Sequence, residues 1–184
     1  MTSSRSEPDH APSIEAVFER LRAQLETQRR PPVEQWHPQH GGVLDIRICR
    51  DGYWYYQGDR IRRDALVRLF ASILRKDPDG YVLVTPAERI LIRVDDVPFI
   101  AIDFEQHDGE LIFRTNVGDL VLLGPEHGLR MGGTDALVPY LHVRGGLEAR
   151  VTRSMYYRLL DHLVVEDGRG YIESAGERFL LGTV

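Results

Sequence analysis

The chain has 184 residues, a net charge of −5, a pI near 5.8 and 42% hydrophobic residues. That length suits one ordinary domain or two small ones, with roughly 70% of the unfolded surface buried on folding and no need of a covalent staple. Its one cysteine, Cys49, excludes an internal disulfide and a cysteine-built zinc site, and the acidity argues against nucleic acid or any partner drawn by a whole-molecule positive field.

Residues 1–12 lack periodicity and are expected to form a disordered tail. They have no apolar core of the kind a signal peptide carries, and no later run approaches the roughly 18 apolar residues of a membrane span. A cytoplasmic, reducing setting is therefore expected. Ser13 is a good N-cap. Ile14, Val17, Phe18, Leu21 and Leu25 follow at helical spacing up to Pro31-Pro32, which predicts an amphipathic helix over 13–30.

Residues 43–48 alternate, with Leu44, Ile46 and Ile48 on one face and Asp45 and Arg47 on the other. Asp51-Gly52 is a turn signal, and Tyr53-Trp54-Tyr55-Tyr56 reads as an aromatic strand. A helix is predicted next, capped by Asp64 and burying Leu66, Leu69, Phe70 and Ile73. Strands are predicted over 81–84, 89–94, 98–104, 110–115 and 119–123, separated by turn signals such as His107-Asp108-Gly109 and Asn116-Val117-Gly118. Residues 124–133 read as a loop-rich link, 140–143 as a strand, and Arg144-Gly145-Gly146 as its end. A second helix follows, capped by Ser154 with Tyr156, Leu159, Leu160 and Leu163 inward. A closing hairpin is predicted over 170–174 and 178–181.

The two helical stretches share one pattern. IRRDALVRLFASILRKDPDGYVLV starts at Ile61, and VTRSMYYRLLDHLVVEDGRGYIES starts at Val151, ninety positions later. Arg63 matches Arg153, Arg68 matches Arg158, Asp77 matches Asp167, and Gly80-Tyr81 matches Gly170-Tyr171. The expected fold is α+β: two small domains built from a duplicated strand-helix-strand motif. The N-terminal α/β domain spans 31–96, and a β-rich domain with a helix spans 97–184, its sheet a bent antiparallel one or a partial barrel.

The strings WHP, GGVLDIRICRDGYWYYQG, ALVRLFASILRKD, YVLVTPAERILIRVDDVPFIA, FRTNVGDLVLLGPEHGLR and YLHVRGGLEARVTRSMYYRLL resemble, in order, the bacterial domain-of-unknown-function family 1285. The resemblance runs from about Trp36 to the C-terminus. TPAER and VDDVPF stand here where the family more often has TPVEK and VEDAPF. The resemblance implies duplicated α/β motifs, a C-terminal half superficially like a pleckstrin-homology domain, a groove between the halves as a ligand site, and a signalling role. It implies no reaction.

The richest polar cluster is Arg114, Thr115, Asn116 and Asp119 with His142, Arg144, Glu148, Arg150 and Arg153. Convergent guanidinium forks and the Gly145-Gly146 amides could hold a phosphate or carboxylate. The structural alternative is a tight turn at Asn116-Val117-Gly118, with the arginines paired to Glu148 and Asp119. His37 and His40 lack a third ligand at a readable spacing, so no metal is expected. Asp95-Asp96 reads as a turn rather than a carboxylate dyad, because adjacent strand residues face opposite ways. Cys49 has no readable histidine partner, and no P-loop, G-x-S-x-G or dinucleotide fingerprint is present.

The expected function is a non-enzymatic ligand-sensing or adaptor protein without a cofactor. It would hold a small anion, for instance a nucleotide, where the halves meet. Arg114, Asn116, His142, Arg144 and Arg150 would donate, and Asp119 and Glu148 would orient them. The alternatives are a hydrolase using His142 with Glu148 or Asp119, and a scaffold using the N-terminal helix and the aromatic strand.

Overall fold

The structure, a computed structural model, describes residues 13, 14, 16, 30–133 and 137–184. The expected tail over 1–12 lies outside the described residues, as does most of the helix expected over 13–30. At the start of that helix Ile14 and Ala16 are helical. The Ala16 amide donates to Ser13 Oγ at 3.2 Å, the bond an N-cap hydroxyl makes to the third helical residue.

The N-terminal half is one six-stranded sheet made of two meanders. The first is β1 (His40–Ile48), β2 (Trp54–Tyr56) and β3 (Asp59–Arg60); the second is β4 (Leu74–Asp77), β5 (Gly80–Val84) and β6 (Glu88–Val94). Helix α1 (Asp64–Ser72) joins them. The spatial order β3-β2-β1-β6-β5-β4 sets β1 and β6 side by side at the centre, in parallel. The alternation at 43–48 holds: Ile46 and Ile48 are buried, and Asp45 and Arg47 are exposed. In β2 the same period turns Trp54 and Tyr56 inward, where Trp54 stacks on Phe70 of α1 with ring centroids 6.1 Å apart.

The C-terminal half holds β7 (Phe99–His107), β8 (Glu110–Thr115), β9 (Leu120–Leu122), β10 (Leu129–Gly132), β11 (Val138–Arg144) and β12 (Leu147–Val151). Their order is β10-β11-β12-β7-β8-β9, and the sheet curls into half a barrel. Helix α2 (Arg153–Leu160) packs on β7 and β11. A three-stranded sheet follows, β13 (Val164–Glu166), β14 (Arg169–Ser174) and β15 (Glu177–Thr183), with β15 lying against β10. Four hairpins turn on a residue-glycine pair with both φ positive: Gln57-Gly58, Asp108-Gly109, Asp167-Gly168 and Ala175-Gly176. These primed turns match the twist of the strands they join.

Several expectations are corrected. The C-terminal sheet is not wholly antiparallel, since β12 and β7 run parallel at its centre. The expected link over 124–133 contains β10, and Gly145-Gly146 turns the chain into β12 rather than into the second helix. Leu147, Ala149 and Val151 are the buried face of β12, a period-2 signal masked by the charges of Glu148 and Arg150 between them. The helices also start earlier than expected. Arg63 is the N-cap residue of α1 and Asp64 its first helical residue, where a carboxylate suits the helix dipole. Thr152 caps α2, its side chain accepting from the Met155 amide.

One apolar cluster runs through both halves, from Ile46, Trp54 and Phe70 through Phe99 and Phe113 to Leu159 and Ile172. Ser174 pins the last sheet to it. Its buried hydroxyl donates to Leu123 O at 2.7 Å and accepts from the Leu111 amide at 2.8 Å. Ser174→Ala strands both backbone groups without water, so urea unfolding should show a loss of about 1–2 kcal/mol. No helix among the described residues is long and apolar enough to cross a membrane.

Candidate functional site: the seam between the halves

The wall of the seam is set by residues 31–36. Arg75 on β4 donates to Val33 O at 2.7 Å and Trp36 O at 2.8 Å while also gripping Asp77. Arg89 binds Asp77 from β6 at 2.7 Å. The Arg75 hydrogen bond, helped by Arg89 and opposed by burial, holds the Asp77 carboxyl below its ordinary range. A depressed carboxyl contributes stability above its unfolded pKa of about 4, and that stability is lost as pH falls through the lower folded value. Asp77→Asn should therefore cost about 1–2 kcal/mol at pH 7 and flatten the loss of stability below pH about 4, followed by urea unfolding across pH.

Among the described residues, polar side chains cross the seam at three places. At the first, Arg144, from the end of β11, donates through Nη2 to Ala71 O in the last turn of α1 at 2.5 Å and through Nη1 to Asp119 Oδ2 at 3.0 Å. Arg30 shares the same carboxylate at 3.1 Å. Burial pushes the Arg144 guanidinium pKa down, Asp119 pulls it up, and Arg30 adds to the lowering. A cavity of about 320 Å³ opens here between Pro31, Ser72, Leu74, Gly145 and Leu147.

At the second place the Tyr140 hydroxyl donates to both oxygens of Asp96 at 3.1 and 3.0 Å. Arg150 reaches Arg50 O and stands 3.6 Å from Asp96 Oδ2. Arg130 lies over the Tyr140 ring and grips Glu148 with two bonds of 2.6 Å. Burial and the Asp96 bond push the Tyr140 phenol pKa up.

The third place is an opening of about 550 Å³, larger than the first. Gly52, Tyr53, Trp54, Arg60, Arg62 and Val67 wall it from one half; Ile100, Ile102, Asn116 and Thr152 do so from the other. Asn116 ties the walls together, accepting from the Ile100 amide at 2.9 Å and donating to Gly52 O at 3.4 Å. Arg60 lies 3.5 Å from the centroid of the half-exposed Tyr53 ring. Arg62 has no carboxylate partner among the described residues.

Two family models match: "Domain of unknown function (DUF1285), N-terminal domain" over residues 31–97 and "Protein of unknown function (DUF1285), C-terminal domain" over 98–181. The chain belongs to the DUF1285 family. A DUF1285 protein from Silicibacter pomeroyi DSS-3 is similar at 43% identity over 95% of this chain and 97% of that one, with a TM-score of 0.85. One from Shewanella baltica OS155 is similar at 31% identity over 64% of this chain and 91% of that one, with a TM-score of 0.53. No curated protein matches.

In this DUF1285 chain the nine residues of the expected cluster are distributed along the seam and beyond it. Arg144 and Asp119 meet at the first place; Glu148 and Arg150 are at the second; Asn116 is at the third. Thr115 is buried and accepts from the Asp119 amide at 3.0 Å. His142 is held by Glu126 O at Nδ1 and the Gly146 amide at Nε2. Arg114 pairs with Asp103 and Arg153 with the Tyr157 hydroxyl, and neither lines the first or the third opening. Sequence reasoning missed Tyr53, Arg60 and Arg62 as neighbours of Asn116. The Arg60-Ile61-Arg62-Arg63 run was the available signal, three cations in four residues ahead of a helix.

Proposed function

We propose that this DUF1285 protein is a non-enzymatic, ligand-responsive module. A small anionic molecule is held in the third opening, between its two halves. The observation that carries this reading is a cavity of ligand size, about 550 Å³, walled by both halves and lined by Arg60 and Arg62, which have no carboxylate partner among the described residues. Asn116 serves the site directly. Arg144, Asp119, Arg150 and Glu148 hold the walls in place, and a ligand touching both walls biases the angle between them. Both ring nitrogens of His142 are occupied by backbone groups, which supports the non-enzymatic reading over a hydrolase.

The duplication and the pleckstrin-homology likeness belong to the same proposal. The series β1-β2-β3-α1-β4-β5-β6 has the same order as β10-β11-β12-α2-β13-β14-β15, and β15 lies against β10, although without the parallel ladder that joins β6 to β1. A curled sheet with one helix packed on it is compatible with the pleckstrin-homology likeness.

Thermal shift and calorimetry with phosphate, sulfate, nucleoside phosphates and small carboxylates test the binding reading. A binder should raise the unfolding temperature with concentration, and Arg62→Ala should weaken it about tenfold. No binder in the panel, or binding indifferent to Arg62→Ala, would overturn it.

A further inference from the structure

The edge of the C-terminal sheet carries unused bonding capacity. β9 is last in its sheet, and among the described residues it pairs with β8 alone. The Thr115 amide donates to Asp119 O and the Leu123 amide to Leu111 O, both at 2.9 Å. Successive residues of an antiparallel strand aim their backbone groups to opposite sides. Asp119, Val121 and Leu123 therefore face β8, while the N–H and C=O groups of Leu120 and Leu122 point off the edge. Such a row is a template for another strand. The side chains act with it: Val121 is buried, whereas Leu120 is 73% and Leu122 37% exposed. Proteins keep edges apart with lysine, proline, bulges or brevity. β9 has no lysine or proline, and its register with β8 is unbroken. Only its three-residue length limits pairing, which makes the contact a weak, concentration-dependent one.

A second copy of the chain fits this edge. The columns across the sheet read Asp103, Arg114, Leu120 and Glu105, Ile112, Leu122. A two-fold axis at Val121 would set Leu120 opposite Leu122 of the second copy. Each column then runs on into the other: Asp103, Arg114 and Leu120, followed by Leu122, Ile112 and Glu105 of the second copy. Apolar side chains meet in the middle and charges stay at the ends, the core-and-rim arrangement of protein interfaces. The rim is also balanced. Asp103 and Glu105 stand with Arg114 and with Arg158, which binds Asp103 at 2.8 Å. A chain of net charge −5 meets its own copy here without a local excess of either sign.

We propose that two copies of the chain associate at this edge, β9 pairing antiparallel with β9 of the second copy so that one sheet runs through both. The contact is independent of the ligand reading and lies apart from the opening it concerns.

Sedimentation of the full chain tests the association. Between about 1 µM and about 1 mM the mass should rise from 21.1 kDa toward twice that value. Leu120→Lys should move the midpoint about tenfold or more to higher concentration. Leu122→Pro should act in the same direction, since it removes an off-edge N–H and spares the ladder to β8. Val43→Lys, at a residue 76% exposed on β1, should change nothing. The Leu120 and Leu122 amides should exchange hydrogen more slowly as concentration rises. A mass of 21.1 kDa throughout would overturn the proposal. So would a dimer equally weakened by Val43→Lys, or one in which those two amides exchange as they do in the dilute chain. Unfolding curves of the variants show that lost association is not lost fold.

Discussion

Gly52→Ala should destabilise the protein by about 3 kcal/mol, while Gly58→Ala should cost about 1 kcal/mol, although both glycines sit at nearly the same φ, +85° and +84°. The backbone penalty of a left-handed alanine is common to the two. What differs is the space. A Cβ on Gly52 would lie 2.6 Å from Ile100 Cγ1 and 2.9 Å from Asn116 Nδ2, whereas one on Gly58 would meet nothing within 4 Å. Ile100 and Asn116 belong to the opposite half, so relief of the clash must move one half against the other or break the Asn116 bond to Gly52 O. Equal costs in urea unfolding would show that the seam yields freely at this point. A large difference, with ligand binding weakened in Gly52→Ala alone, is the expected result, because Gly52 and Asn116 wall the same cavity.

Legibility of the fold from sequence followed the strength of the local signal. β1 was readable because Leu44, Ile46 and Ile48 alternate with charged residues over a stretch long enough to fix the phase. The hairpin turn at Asp108-Gly109 was readable because few residue pairs tolerate two positive φ values. β12 was not readable: its inward residues include Ala149, which carries little hydrophobic signal, and Gly145-Gly146 resembles a strand's end. The parallel pairs β1–β6 and β7–β12 were equally hidden, since they join residues some 48 positions apart, as Gly41 and Arg89 are.

The site was harder still. That Arg144, Arg150 and Glu148 are charged and near a turn is visible in the sequence, but their partners are not. Asp119, Asp96 and Arg130 stand at separations set by strand order, and only the folded sheet shows these side chains paired, with Arg144 reaching Ala71 O and Arg150 reaching Arg50 O across the seam. Asn116 stood out because a turn asparagine in a polar cluster is informative by itself. Tyr53 and Arg60 become neighbours through the β2–β3 hairpin, a local event; their distance from Ile102 and Asn116 is a long-range one.

Arg144→Leu is expected to cost about 3 kcal/mol, most of it from groups left behind rather than from the salt bridge as such. Side-chain exposure is 19% for Arg144 and 17% for Asp119, so both are largely out of water. Without the guanidinium, Asp119 retains, among the described residues, the Arg30 cation, whose side chain is 68% exposed, and Ala71 O at the end of α1 loses a charged donor facing the negative end of the helix dipole. Arg144→Lys should recover little. A single ammonium is a point charge and cannot present two separate forks, one to Ala71 O and one to Asp119. Salt separates this contact from a surface pair: raising ionic strength from about 0.1 to about 1 M should barely change the coupling between Arg144 and Asp119 in a double-mutant cycle. The exposed Arg93–Asp45 pair, 70% and 55% exposed, should show a coupling near zero throughout. If Arg144→Leu instead proves nearly neutral, the halves are held by their shared apolar cluster and by the polar contacts at Asp96, Arg50 O and Gly52 O. A ligand in the third opening could then move them without working against the Arg144 latch.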